Sequence, residues 1–115
     1  MKQTLGIIEK CSIRRKVQSQ LIQLELIQWI LEVLKTSNEL DQYTLEYITA
    51  LLMNLVLRTE GKKVSHDPKL EMVKTLIPLL SIESEQIRTH VNGTLYAILT
   101  TRAMRQEAKV SLIFS

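Results

Sequence analysis

The chain has 115 residues, room for one ordinary domain that would bury roughly 65% of the surface it exposes when unfolded. Gly is 3, Pro is 2 and aromatics are 4%, while Leu, Ile, Val and Met are abundant, a balance that disfavours sheets and predicts an all-α protein. The net charge is +3, but its 15 basic and 12 acidic residues are interleaved, which excludes a basic tail or an acidic arm, and the one cysteine, Cys11, excludes both a disulfide framework and a four-thiolate zinc site.

In chain order, MKQTLGIIEK lacks the continuous apolar core of a signal peptide, and apolar runs such as 50 to 53 fall far short of the ~18 residues needed to cross a bilayer. A cytoplasmic chain, neither secreted nor inserted in a membrane, is therefore expected. Residues 1 to 11 read as the last helix of a preceding unit, and SIRRKVQSQ as a short helix leading into the next element. The segment QLIQLELIQWILEVLK, 20 to 35, places Ile22, Leu26, Trp29 and Val33 on one stripe, with Ile27, Ile30, Leu31 and Leu34 beside it. That spacing predicts a helix, with Trp29 in the core rather than on an interface.

TSNELD breaks the helix, and Asp41 is placed to cap the next one. The capped stretch, YTLEYITALLMNLVLR at 43 to 58, is apolar most of the way round. Only a strip holding Tyr47, Asn54 and Arg58, with Leu51 between them, stays polar, so this helix is expected to be covered on nearly every side and open on one. GKKVSHDP reads as a loop. Asp67 and Pro68 start a third helix running to about Leu80, distorted near Pro78, where the ring removes a backbone donor. Ser84 caps a fourth helix, 85 to 101, with Ile87, Val91, Leu95 and Ile98 on its stripe.

Two of these pairs correspond. WILEVLK at 29 to 35 returns as TLIPLLS 46 residues on, and YITALLMNLV at 47 to 56 returns as HVNGTLYAIL 43 residues on. A recurrence of this length falls within the ~40 to 47 residue period of HEAT and armadillo arrays. The predicted architecture is a right-handed α-solenoid fragment of about two and a half armadillo/HEAT-like repeats. Its parts are 1–11, the repeat 12–58, an irregular repeat 59–101, and 102–115 as the start of another unit or a divergent tail ending in KVSLIFS.

ALLMNLVLR is similar to the third helix of an armadillo repeat. Together, SIRRKVQSQ, LIQWILEVLK, DQYTLEYITALLMNLVLRTEGK and VNGTLYAIL followed by RQEA, across residues 1 to 109, resemble the armadillo-repeat family whose members also carry a LisH motif. That resemblance implies a non-enzymatic protein-interaction scaffold without a cofactor, associated with the cytoskeleton at the centriole, the basal body and the ciliary tip. The LisH motif itself is absent from this sequence, and KVSLIFS does not continue the expected repeat.

Candidate chemistry is sparse. His66 and Asp67 adjoin without a nucleophile or third group, and Cys11, His66 and His90 lack metal-ligand spacing, so neither catalysis nor a metal site is expected. Gly93 and its counterpart Ala50 are expected to mark close helix packing. In armadillo proteins that bind extended peptides an Asn at the place of Asn54 holds the ligand backbone, but its counterpart here is Ala97. Asn54 is therefore either a single peptide-binding rung or a structurally bonded residue.

Tyr47, Asn54 and Arg58 share one stripe and His90, Thr94 and Thr101 the equivalent one, and these form the expected protein-binding face. Arg14, Arg15 and Lys16, then Lys62 and Lys63, then Arg102 and Arg105, are basic clusters that could alternatively meet acidic tubulin tails, giving a microtubule-binding module. With no aromatic stacking platform, nucleic acid is not expected.

Overall fold

The computed structural model describes residues 15 to 99, with Arg105, Gln106 and Lys109, leaving the side chains of Arg15 and Ser37 undescribed. Expectations that fall on 1–11, Cys11, Arg14, Thr101, Arg102 and the tail from Val110 on lie outside the described residues. Every described element is helical. They are α1 (Arg15–Gln23), α2 (Leu26–Leu34), α3 (Gln42–Val56), α4 (Thr59–Ser65), α5 (Met72–Leu76) and α6 (Glu85–Ile98), with 3-10 turns at Ser37–Glu39, Pro68–Leu70 and Ile77–Ser81.

The segment 20 to 35 is not one helix. It breaks at Leu24 and Glu25, and Glu25 takes the left-handed conformation at φ 61°. The reason is in the register: on a straight helix Ile22 would point away from the sector holding Ile27, Ile30, Leu31 and Leu34. The reversal at Glu25 lets Ile22, 6% exposed, join the same core as Ile30, 0% exposed. The backbone strain costs about 1–2 kcal/mol, which burial of a single large aliphatic side chain offsets. Trp29 lies on the other side and is 42% exposed, so it is a surface residue and not part of the core.

α3 is the inner element. Asp41 accepts from the Thr44 backbone N–H at 2.8 Å, as its position predicts, and fixes the start. Ile48, Leu52, Leu55 and Val56 are fully buried, covered by α6, α2, α4 and α1. Leu51 is buried as well, so the open strip is narrower than the pattern predicts and is centred on Tyr43, Tyr47 and Asn54.

The loop expected at GKKVSHDP is largely helix α4. Gly61 sits where α4 crosses the end of α3, and a side chain there would collide with the Leu55 carbonyl group. Here the glycine serves close approach rather than chain reversal. The segment expected as one helix from Asp67 to Leu80 is three short pieces. Asp67 caps Lys69 at 3.0 Å, Glu71 reverses the chain at φ 53°, and α5 gives way to a 3-10 turn at Ile77, next to Pro78. The distortion expected at Pro78 is present, and the break at Glu71 comes in addition.

α6 begins at its Ser84 cap, whose hydroxyl accepts from the Ile87 N–H at 3.4 Å. Its stripe of Ile87, Val91, Leu95 and Ile98 is buried against α3 and the 3-10 turn. Among the described residues no helix is long and apolar enough to cross a membrane.

Candidate functional site

The site is the face shared by the two long helices. α3 and α6 lie side by side and make the most extensive helix packing among the described residues. Three contacts fix their relation. Ser84 donates to Glu46 Oε1 at 3.4 Å, Thr49 Oγ1 meets His90 Nδ1 at 3.0 Å, and Gly93 lies against Met53. The numbers climb together along both chains, so the helices run parallel, with their N-terminal ends at the same edge. Thr49 spends its hydroxyl proton on the Leu45 carbonyl at 2.7 Å.

A side chain at Gly93 would place its Cβ 2.7 Å from Met53 Sδ. Gly93 and the buried Ala50 thus both sit at packed positions, in keeping with their small size.

The expected surface residues divide. Tyr47 and Asn54 are half-buried on the outer side of α3, and the Tyr47 ring stacks on Tyr43 with centroids 6.4 Å apart. Arg58 does not continue that strip, because α3 stops at Val56. Arg58 instead precedes α4, with Nε 3.7 Å from Glu60. His90 lies in the seam between the helices. Thr94 does not line a surface: it is buried and donates to the His90 carbonyl at 2.8 Å. His66 ends α4 and the Asp67 carboxylate caps the following turn, so both have structural work. Lys16 on α1 is exposed, Arg15 is the first residue of that helix, and Lys62 and Lys63 sit in the last turn of α4, which packs against α1.

Two open clefts flank this core. One, of about 410 Å³, is lined by Leu34, Lys35, Asn38, Glu71, Lys74 and their neighbours. There Glu71 lies 3.9 Å from Lys35 and 3.2 Å from Lys74, so the charges answer one another across the left-handed residue. The other, of about 610 Å³, opens between the N-terminal ends of α3 and α6 and is lined by Gln42, Tyr43, Glu46, Ser84, Glu85 and Gln86. Sequence reasoning missed this second cleft. Its available signals were the tyrosines four residues apart and the two caps, Asp41 and Ser84, that bring both helix starts to one edge.

Two long helices, α3 and α6, each follow shorter ones in a fold whose described elements are all helical, as in proteins built from armadillo repeats. The family profile described as LisH domain-containing protein ARMC9, ARM repeats, matches residues 21–113, and the chain belongs to that family. Proteins of that name are similar over 105 residues: 46% identical in Danio rerio, 45% in Homo sapiens and 43% in Xenopus laevis. Each match covers 91% of this chain but 13% of the relative, so the chain spans about an eighth of the curated proteins it matches. No solved structure matches it. Membership in an armadillo-repeat family points to a repeat-based protein-interaction module and away from catalysis.

Proposed function

We propose that the chain is a stretch of right-handed α-solenoid that works as a non-enzymatic scaffold, with the outer side of α3 and α6 as its partner-binding face. One observation carries the reading. The parallel packing of these helices leaves Tyr43 exposed near Gln86 of α6, with Tyr47 and Asn54 half-buried on the same stripe of α3. Aromatic rings of this kind supply contact area at low cost in conformational freedom. Asn54 adds a side-chain amide of the kind that holds an extended peptide backbone. Placement at the centriole, basal body and ciliary tip rests on the sequence resemblance alone.

The test is affinity capture from ciliated cells with the wild-type chain and with Tyr47→Ala and Asn54→Ala variants whose helicity and melting are intact. Loss of specific partners supports this face, and unchanged retention by both folded variants rejects it.

A second reading, a tubulin-binding edge, is favoured by the packing of α1 on α4, which brings the helix of Arg15 and Lys16 against that of Lys62 and Lys63. Pelleting with microtubules that is salt-sensitive and lost on reversing Arg14, Arg15, Lys16, Lys62 and Lys63 to glutamate would select it. Absence of pelleting at low salt disposes of it.

A further inference from the structure

By the 43-residue correspondence, the α3 residues on which α6 packs, Glu46, Thr49 and Met53, return on α6 as Thr89, Asn92 and Tyr96. On α3 this row is closed: Thr49 is 1% exposed, and Glu46 and Met53 are half-buried. On α6 the same row is open, with Thr89 and Asn92 exposed and Tyr96 88% exposed. Steps of four and three align these residues with Glu85, about a quarter-turn round the helix from His90 and Gly93 in the seam.

Polarity does not mark the open row as a face for water. The α3 row is just as polar, and a helix nevertheless closes it, with hydrogen bonds at Glu46 and Thr49 and the small Gly93 against Met53. In place of Met53 the open row carries Tyr96, the most exposed large apolar side chain among the described residues. Burying such a ring is a strong reason to associate.

The other side of α3 limits what can cover it. A head-to-tail stack would need the row of Tyr47, Ala50 and Asn54, the counterparts of His90, Gly93 and Ala97. That row is assigned above to a partner protein, and Ala50 at its middle is already buried. Pairing the open row with the same row of another copy needs no second surface and closes at two. In an antiparallel pair centred on Asn92, the two Asn92 amides donate and accept reciprocally, and each Tyr96 ring lies on Thr89 of the second copy. The Glu85 carboxylates fall at opposite ends, on the order of 20 Å apart, too far to repel strongly.

We propose that the row of Glu85, Thr89, Asn92 and Tyr96 on α6 is a homodimer contact, pairing two copies of this chain about a two-fold axis at Asn92. One helix pair covers less than the ~1,200 Å² of a standard interface, so the dimer is reversible, with a Kd on the order of 0.1 mM. The contact lies apart from the Tyr47 and Asn54 face and stands or falls independently of it.

Sedimentation velocity of the whole chain between about 10 µM and 1 mM brackets such a Kd. Wild type moves from monomer to dimer over that range, and Tyr96→Lys weakens the dimer about 10-fold or more. Leu24→Lys, at the exposed break between α1 and α2, leaves it unchanged. With Cys11→Ser in all chains, Asn92→Cys forms a disulfide-linked dimer on mild oxidation, as does Thr89→Cys mixed with Tyr96→Cys, whereas Glu85→Cys alone does not. A wild-type monomer at the highest concentration overturns the proposal, as does equal weakening by Tyr96→Lys and Leu24→Lys. Growth beyond dimer shows head-to-tail stacking and overturns the two-fold contact. So does an Asn92→Cys thiol shielded from iodoacetamide in the dilute monomer, because another segment of the same chain then covers the row.

Discussion

Thr49 Oγ1 and His90 Nδ1 meet at 3.0 Å and tie the middle of α3 to the middle of α6, across 41 residues of sequence. Thr49 is 1% exposed, so losing the hydroxyl removes a hydrogen bond from the buried seam. Thr49→Val, nearly the same shape, should destabilise the chain by about 1–2 kcal/mol in urea unfolding. A double-mutant cycle with His90→Leu should recover about 1 kcal/mol of coupling. Additive effects of the two substitutions would show that packing alone holds this seam.

The two helical glycines should respond oppositely to alanine. At Gly61 the added methyl meets the backbone carbonyl of Leu55, which cannot move without shifting the end of α3. At Gly93 it meets Met53 Sδ at 2.7 Å, the end of a flexible side chain. Alanine gains up to about 1 kcal/mol of helix propensity at either site. Gly93→Ala should thus fall within about 1 kcal/mol of wild type, whereas Gly61→Ala should lose about 2 kcal/mol or more. Both are read from urea midpoints at constant m-value.

Glu25 and Glu71 share a left-handed backbone but not their surroundings. Glu25 forms no side-chain cap bond, and Glu71 faces Lys35 and Lys74. Glycine relieves about 1–2 kcal/mol of strain at each site, less roughly 0.5–1 kcal/mol of added chain entropy. Glu25→Gly should therefore stabilise by up to about 1 kcal/mol. Glu71→Gly should gain less, because exposed ion pairs worth about 0.2–1 kcal/mol are lost with it. A larger gain at Glu71 would mean that the lysines contribute nothing.

These two residues also mark where the sequence stops being legible. Periodicity identifies the apolar faces of α2, α3 and α6 and places the Asp41 and Ser84 caps, because those are local properties of consecutive residues. It cannot show a helix reversing direction at a glutamate, since nothing in LELIQ or KLEMV disfavours continuing the helix more than many ordinary surface sequences do. The strain at Glu25 is justified only by the joint burial of Ile22 with the α2 face, a tertiary fact. Gly61 misled for a related reason: a glycine between charged residues reads as a turn until the neighbouring carbonyl that excludes a side chain is known. Of the candidate surface, Tyr47 and Asn54 follow from α3 alone. Thr94 and the Tyr43 cleft depend on how α6 lies beside α3.

Trp29 provides the sharpest contrast with the stripe read from the sequence. It shares a helix with Ile30, yet one is 42% exposed and the other 0%. Ile30→Ala should cost about 2–5 kcal/mol through lost transfer energy and the cavity left behind. Trp29→Gln removes a partly wet ring and should cost less than about 1 kcal/mol. Indole fluorescence offers an independent check. An emission maximum close to that of free tryptophan, with ready quenching by iodide, agrees with the exposed position, and a blue-shifted, protected signal would restore Trp29 to the core.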